Sequence, residues 1–275
     1  MSEELDALVA ENRNLRRERN ALRSQIEAFE RSRWWRLHPR FVLRRRKGET
    51  DSAAATPVEP VVDDRRADRD ATAELVRRFR DAVISHGSFT EDWFTQHLPT
   101  LDPLVAPLAA RPSRILEIGS FEGMSACYFL WRLPDAQVTC IDTFLFSLEH
   151  EASQIDDGLE ERFDRNIALV DATRGRKLVG DSRRLLLDLV EEHTQFDLVY
   201  VDGSHLALDV VIDAALAWRL LRPGGTLVFD DYMWNDVGED RLLRPAPAVD
   251  ALLTIVAGKY ELLVEGAQLA LRKTA

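Results

Sequence analysis

Two neighbouring carboxylates, Asp230 and Asp231, close the apolar run LVFDD at 227–231. Burying either acid without a partner is costly, so the pair predicts that something positive is expected beside it. A third acid, Asp202, ends another apolar run in YVDGSH (200–205), with His205 three residues on. If the two runs are adjacent parallel strands, their ends share one rim and the three acids meet. Carboxylates converging at a ligand-binding edge suit a hard cation such as Mg²⁺, with waters or substrate oxygens completing the shell. The competing reading is that Asp202 and Asp231 cap helices or turns. His205 is the side chain there able to take a proton near pH 7, although a His after a turn is as often a surface residue or an N-cap neighbour.

A second group of polar residues follows other strand-like runs. LEIGSFEGMSACYFLWRL contains Glu117, Gly119 and Gly123 in a turn between a strand and a helix, the usual cradle for a ligand in open α/β sheets. A dinucleotide fingerprint needs glycine where Phe121 stands, which argues against NAD. Asp142, at the end of the next run, can accept both hydroxyls of a ribose, and an Asp there is also a common turn former. Further candidates are Glu149 and His150, Trp93, Phe94 and His97, and the irregular stretch Glu239, Asp240 and Arg241.

Stepping outward to what must hold these residues, RILEI (114–118), QVTCI (137–141), KLVG (177–180), FDLVYV (196–201) and TLVF (226–229) alternate with helical segments. That alternation predicts an α/β, Rossmann-like, mostly parallel sheet covered on both faces, with helical pieces at 72–86, 91–98 and 101–110 leading into it. YELLVEGAQLALRK (260–273) reads as a C-terminal antiparallel hairpin. Cys127 and Cys140 lack metal-site spacing and read as reduced core residues.

The N-terminal quarter differs. Leu5, Leu8, Asn12, Leu15, Arg19, Leu22, Ile26 and Phe29 form a heptad seam, which predicts a coiled-coil helix over 1–30 and a homo-oligomer, against the alternative of a lone solvated helix. Residues 31–47, RSRWWRLHPRFVLRRRK, interleave basic and aromatic side chains, a pattern that fits an anionic membrane surface, a protein partner or the acidic body of the same chain. The first 50 residues carry net +5 and the remainder −16, of a total of −11. Residues 48–70 read as a flexible linker, and 71–275 as the folded domain. No run approaches the roughly 18 apolar residues of a membrane span, and the start is polar and acidic, so a cytoplasmic location is expected, with peripheral contact to the inner face of the membrane as an option.

The Glu-x-Gly-x-x-x-Gly turn, Asp142, the Gly180-Asp181-Ser182 turn and the terminal hairpin together resemble the class I S-adenosylmethionine-dependent methyltransferases. The resemblance implies a seven-stranded sheet with one antiparallel strand. It also implies a cofactor site in which Glu117, Gly119, Ser120 and Gly123 line the methionine end, Asp142 and Thr143 the ribose, and Asp181 with Ser182 the adenine. DGSH followed by LLRPGGTLVFDDY is similar to a bacterial subgroup whose metal-dependent members methylate sugar hydroxyls of macrolide and aminocoumarin antibiotics, relatives that often carry Asp where Ser204 stands. It implies S-adenosylmethionine and Mg²⁺ or another divalent cation as cofactors, Asp202, Asp230 and Asp231 as metal ligands, His205 as catalytic base, and a small-molecule or glycan acceptor. Ser-x-Trp-Trp-Arg-Leu after a short coil is similar to tails on bacterial glycosyltransferases. Two other readings compete: a metal-dependent hydroxylase on the same fold, and a dimeric scaffold with a vestigial cofactor pocket. Nucleic acid is not an expected partner of an acidic body.

Overall fold

The computed structural model describes residues 64–145, 158–234 and 240–275. The coiled-coil segment, the basic and aromatic segment, most of the linker, and Glu149, His150 and Glu239 lie outside the described residues. The first described helix, α1 (Asp64–Ala82), begins inside the stretch read as linker. A short helix, α2 (Leu98–Val105), follows two single 3₁₀ turns, Ile84–His86 and Thr95–His97.

The strands and helices then alternate as β1 (Ser113–Ile118), α3 (Met124–Arg132), β2 (Ala136–Asp142), α4 (Leu159–Val170), β3 (Gly175–Val179), α5 (Ser182–Glu191), β4 (Phe196–Val201), α6 (Ala207–Leu220) and β5 (Leu221–Phe229). Helix α7 (Ala246–Ile255) precedes the hairpin β6 (Tyr260–Glu265) and β7 (Leu269–Lys273). Together they build one seven-stranded sheet in the order β3-β2-β1-β4-β5-β7-β6, parallel except for β7, which runs antiparallel to β5 and β6.

The burial pattern explains why this order is stable. All six side chains of β4 are buried, as expected for a central parallel strand covered on both faces. One apolar layer joins α1 to α4 to the sheet, with Phe79, Leu98, Leu101, Tyr128, Phe129 and Phe163 at its centre. A second layer on the opposite face gathers Leu186, Leu189, Val210, Ala214, Leu220 and Val249 from α5, α6 and α7. Cys127 and Cys140 are both buried and free, as their apolar surroundings predicted. Among the described residues no helix is long and apolar enough to cross a membrane.

Strand register decides what stands at the carboxyl rim. Ile118 pairs with Ile141 and with Val201, Val201 with Phe229, and Phe229 with Leu269. One step further along each strand, Gly119, Asp142, Asp202, Asp230 and Gln268 follow side by side. The main chain continues the ladder there, with Asp202 N–H donating to Ile118 O (2.8 Å) and Asp230 N–H to Val201 O (3.0 Å).

Candidate active site

Asp202, Asp230 and Asp231 converge as the register requires, each offering an oxygen within 4.8 Å of the other two. Asp230 is buried, while Asp202 and Asp231 are half-buried. Burial, with Asp230, Asp231 and Glu117 nearby, holds the Asp202 carboxyl well above the ordinary carboxylate range. Asp230 is raised as well, chiefly by burial and opposed by His97, while Asp231 raises it and the Tyr200 and Gln268 bonds lower it. Three crowded acids of this kind are stabilised by a hard cation, and an all-oxygen donor set fits one.

The surrounding side chains are ordered around these acids. His205 Nε2 lies 2.9 Å from Asp231 Oδ2, and its ring stacks on Trp234 at 4.3 Å between centroids. Tyr200 donates its hydroxyl to Asp230 Oδ1 at 2.5 Å, and Gln268 Nε2 donates to the same oxygen. His97 Nε2 stands 3.7 Å from Asp230 Oδ2. A small pocket lined by Asp202, Ser204, His205, Phe229, Asp230 and Pro245 opens on this group.

The neighbouring half of the rim belongs to the loop after β1. Gly119 has φ +83°, and a Cβ there would fall 2.0 Å from the carbonyl oxygen of Asp202, so no other residue fits. Phe121, at the position that a dinucleotide motif gives to glycine, takes φ 46° itself, and its ring stacks on Trp93. The Asp142 carboxylate fastens this loop: Oδ2 accepts from the N–H groups of Ser120 (2.7 Å) and Phe121 (2.8 Å), and Oδ1 from that of Phe144 (2.7 Å). Oδ1, with a single donor, retains acceptor capacity, so anchoring the loop does not exclude a hydroxyl ligand.

Glu117 is fully buried, and neither of its oxygens makes a hydrogen bond. Ser120, Ser125 and the Cys140 thiol stand near it, offset from bonding geometry; burial pushes its carboxyl up to about 7. The Ser120 hydroxyl is likewise buried without a partner. Such orphaned groups are expensive unless a ligand completes them, and a cationic ammonium is the natural complement of Glu117.

Residues 116–232, the stretch that holds both halves of the rim, match the family model of a methyltransferase domain. Among solved structures the fold resembles MycE from the mycinamycin biosynthetic pathway, in complex with Mg, SAH and mycinamycin VI, at 18% identity and TM-score 0.52 over 74% of this chain. It also resembles a Staphylococcus aureus protein provisionally named a caffeoyl-CoA O-methyltransferase, at 16% identity and TM-score 0.50, covering 77% of this chain and 96% of that one. The chain spans about half (53%) of the MycE chain. No curated protein matches the sequence.

Other residues singled out in the sequence have local partners. Asp181 caps α5 by accepting from Arg183 N–H and pairs with the Arg183 guanidinium, while Ser182 donates to Asp213 Oδ1 at 2.7 Å. Thr143 is exposed and turns back on Leu145. Gly123 has φ +80° and packs where a Cβ would press on the Phe163 ring. Ser204 bonds Asp209 and the Leu206 N–H, which makes it a helix-start residue of α6. Phe94 is core and Asp240 caps a 3₁₀ turn.

Sequence reasoning missed Tyr200 and Gln268 and ranked His97 low. Gln268 did leave a signal: a polar amide opens a strand whose next three residues are all apolar and buried. Tyr200 left none, because a buried tyrosine in FDLVYV reads as core.

Proposed function

We propose that the chain transfers a methyl group from S-adenosylmethionine to a hydroxyl of a sugar or glycosylated metabolite with the help of a divalent cation. The reading is carried by the convergence of Asp202, Asp230 and Asp231 on one edge of the class I sheet, with His205 held against Asp231. The MycE structure, which contains Mg and SAH, supports it.

When bound, S-adenosylmethionine supplies the electrophilic methyl, and a cation at the three acids supplies positive charge that lowers the acceptor's pKa. The protein's own part is positional. Glu117 and Ser120 would meet the methionine end, Gly119 and Gly123 shape the loop around it, Asp142 and Thr143 face the ribose, and Asp181 and Ser182 the adenine edge. Asp202, Asp230 and Asp231 would hold the cation. Asp231 orients the His205 ring through Nε2, and the Trp234 stack limits its rotation. With Nε2 held against Asp231, His205 is the side chain at the rim that takes the acceptor's proton. This is the arrangement in which a carboxylate fixes the tautomer of a general base.

The test pairs variants with metal removal. Asp230→Ala and Asp231→Ala are expected to abolish methyl transfer while leaving S-adenosylmethionine binding by calorimetry largely intact. Full turnover of either variant, or of the native chain in excess EDTA, would sink the metal-assisted mechanism.

For the N-terminal region the proposal is homo-oligomerisation through the heptads of residues 1–30, with residues 31–47 contacting a protein, an anionic membrane or the chain's own acidic domain, and a cytoplasmic location overall.

A further inference from the structure

We propose that Gln268, at the tip of the C-terminal hairpin, is a positioning residue that presents Asp230 to the cation through one oxygen only and so biases the rim toward Mg²⁺ over Ca²⁺; the inference rests on the metal-assisted reading above.

Phe229 pairs with Leu269 across the antiparallel β5 and β7 strands, so the next step sets Asp230 opposite Gln268. Asp230 Oδ1 receives both the Tyr200 hydroxyl and the Gln268 amide. A carboxylate oxygen has two lone pairs in its plane, and these two donors occupy both. Asp230 Oδ2, the oxygen that receives neither of these donors, has His97 Nε2 at 3.7 Å. A cation therefore reaches this carboxylate through Oδ2 alone.

Gln268 cannot turn over to relieve the arrangement. Its side chain is 3% exposed, and a reversed amide would set its oxygen against the Asp230 carboxylate. The hairpin tip is itself tied to the rim, with Gly266 N–H donating to Gln268 O (2.9 Å) and Met233 N–H to Ala267 O (3.3 Å). The Gln268 Oε1 atom is buried and accepts no hydrogen bond. It remains as an acceptor for a donor that arrives with the ligand, such as a water or a hydroxyl of the methyl acceptor.

One-oxygen carboxylates suit the small octahedral shell of Mg²⁺, whereas Ca²⁺ takes six to eight oxygens and often uses carboxylates through both. Removing a donor from Asp230 Oδ1 frees that oxygen for the larger ion. Outer partners of metal ligands typically alter affinity by tenfold or more.

The experiment uses the full chain, stripped by chelator and saturated with S-adenosylhomocysteine, titrated with MgCl₂ and with CaCl₂ in competition with Mn²⁺ read by electron paramagnetic resonance. The native chain is expected to bind Mg²⁺ more tightly than Ca²⁺. Gln268→Leu is expected to narrow that ratio about tenfold, and Tyr200→Phe, which keeps the ring in its buried place, to narrow it less. A ratio unchanged in both variants, or both ions weakened alike, overturns the role of Gln268 while leaving a cation site standing. A native chain that binds none of the three ions overturns the metal-assisted reading itself, and this inference with it. If Gln268→Leu fails to fold, as judged by circular dichroism, Tyr200→Phe decides.

Discussion

Strand β4 carries an acid at each end, and the two are treated in opposite ways. At its amino end Asp197 is buried beneath two guanidiniums: Arg111 donates to it at 2.6 Å, Arg222 pairs with the same oxygen, and the Arg114 N–H donates to the other at 2.8 Å. At the carboxyl end, just past Val201, Asp202 meets two further acids, Asp230 and Asp231. The first acid ties the loop before β1 to β4 and β5, and its charge is compensated within the protein. The second stands among like charges. In a parallel sheet this division separates a stabilising end from a working end, since ligands bind beyond the carboxyl ends of the strands.

The largest effect expected from breaking this comparison is on turnover. Asp202→Asn should lower kcat by about three orders of magnitude, the scale of losing a main electrostatic contributor to a transition state. The same variant should be more stable than the native chain by about 1 kcal/mol in EDTA at neutral pH, read from urea midpoints. The sign follows from the raised Asp202 pKa: a group that binds its proton more tightly when folded loses stability as pH rises above its unfolded pKa, and asparagine removes that loss. Equal or lower stability in Asp202→Asn would erase the contrast with the other end.

Asp197→Ala should do the reverse, costing about 3 kcal/mol of stability. Arg111 and Arg222 are each about two fifths exposed and can return partly to water, which keeps the cost near the low end for a buried pair. S-adenosylmethionine affinity and cation binding should stay near native values at temperatures where the variant is folded. A loss of cation affinity in Asp197→Ala, without unfolding, would show the two ends to be linked.

Glu117 gives the most specific test. Its ordinary pKa near 4.5 rises to about 7 on folding, so the ligand-free chain should lose stability between those two values as pH increases. Asp202 and Asp230 contribute in the same direction, and the difference between native and Glu117→Gln chains isolates a contribution on the order of 3 kcal/mol. Below pH 7 the binding of S-adenosylmethionine should release a proton, seen as a calorimetric enthalpy that changes with buffer. The same buffer dependence in Glu117→Gln would assign the proton elsewhere.

Much of this was legible in the sequence because strand ends are chemically marked. FDLVYV coincides with β4 residue for residue, and RILEI and QVTCI lie within one or two residues of β1 and β2, since short apolar runs enriched in β-branched and aromatic residues fit buried strands. The three acids converged because two neighbouring parallel strands leave them no alternative. β5 was read too short: it starts at Leu221 and carries RPGG within it, where a register shift against β4 accommodates the turn-forming residues. What sequence could not reveal was partner choice. Whether Asp142 spends its oxygens on backbone amides, Ser182 on Asp213, or Gln268 on Asp230 depends on side-chain direction and on strands more than 20 residues apart.

The close approach at Gly119 has a further consequence. The loop that would carry the methyl donor rests directly on the main chain of Asp202, which would hold the acceptor side. Their separation is thus fixed by two backbones in van der Waals contact, and no side chain intervenes to adjust it. Acceptors of different size can be accommodated only by changes farther out, around Trp93, Trp234 and the segments beside them, while the span that the methyl group must cross stays constant.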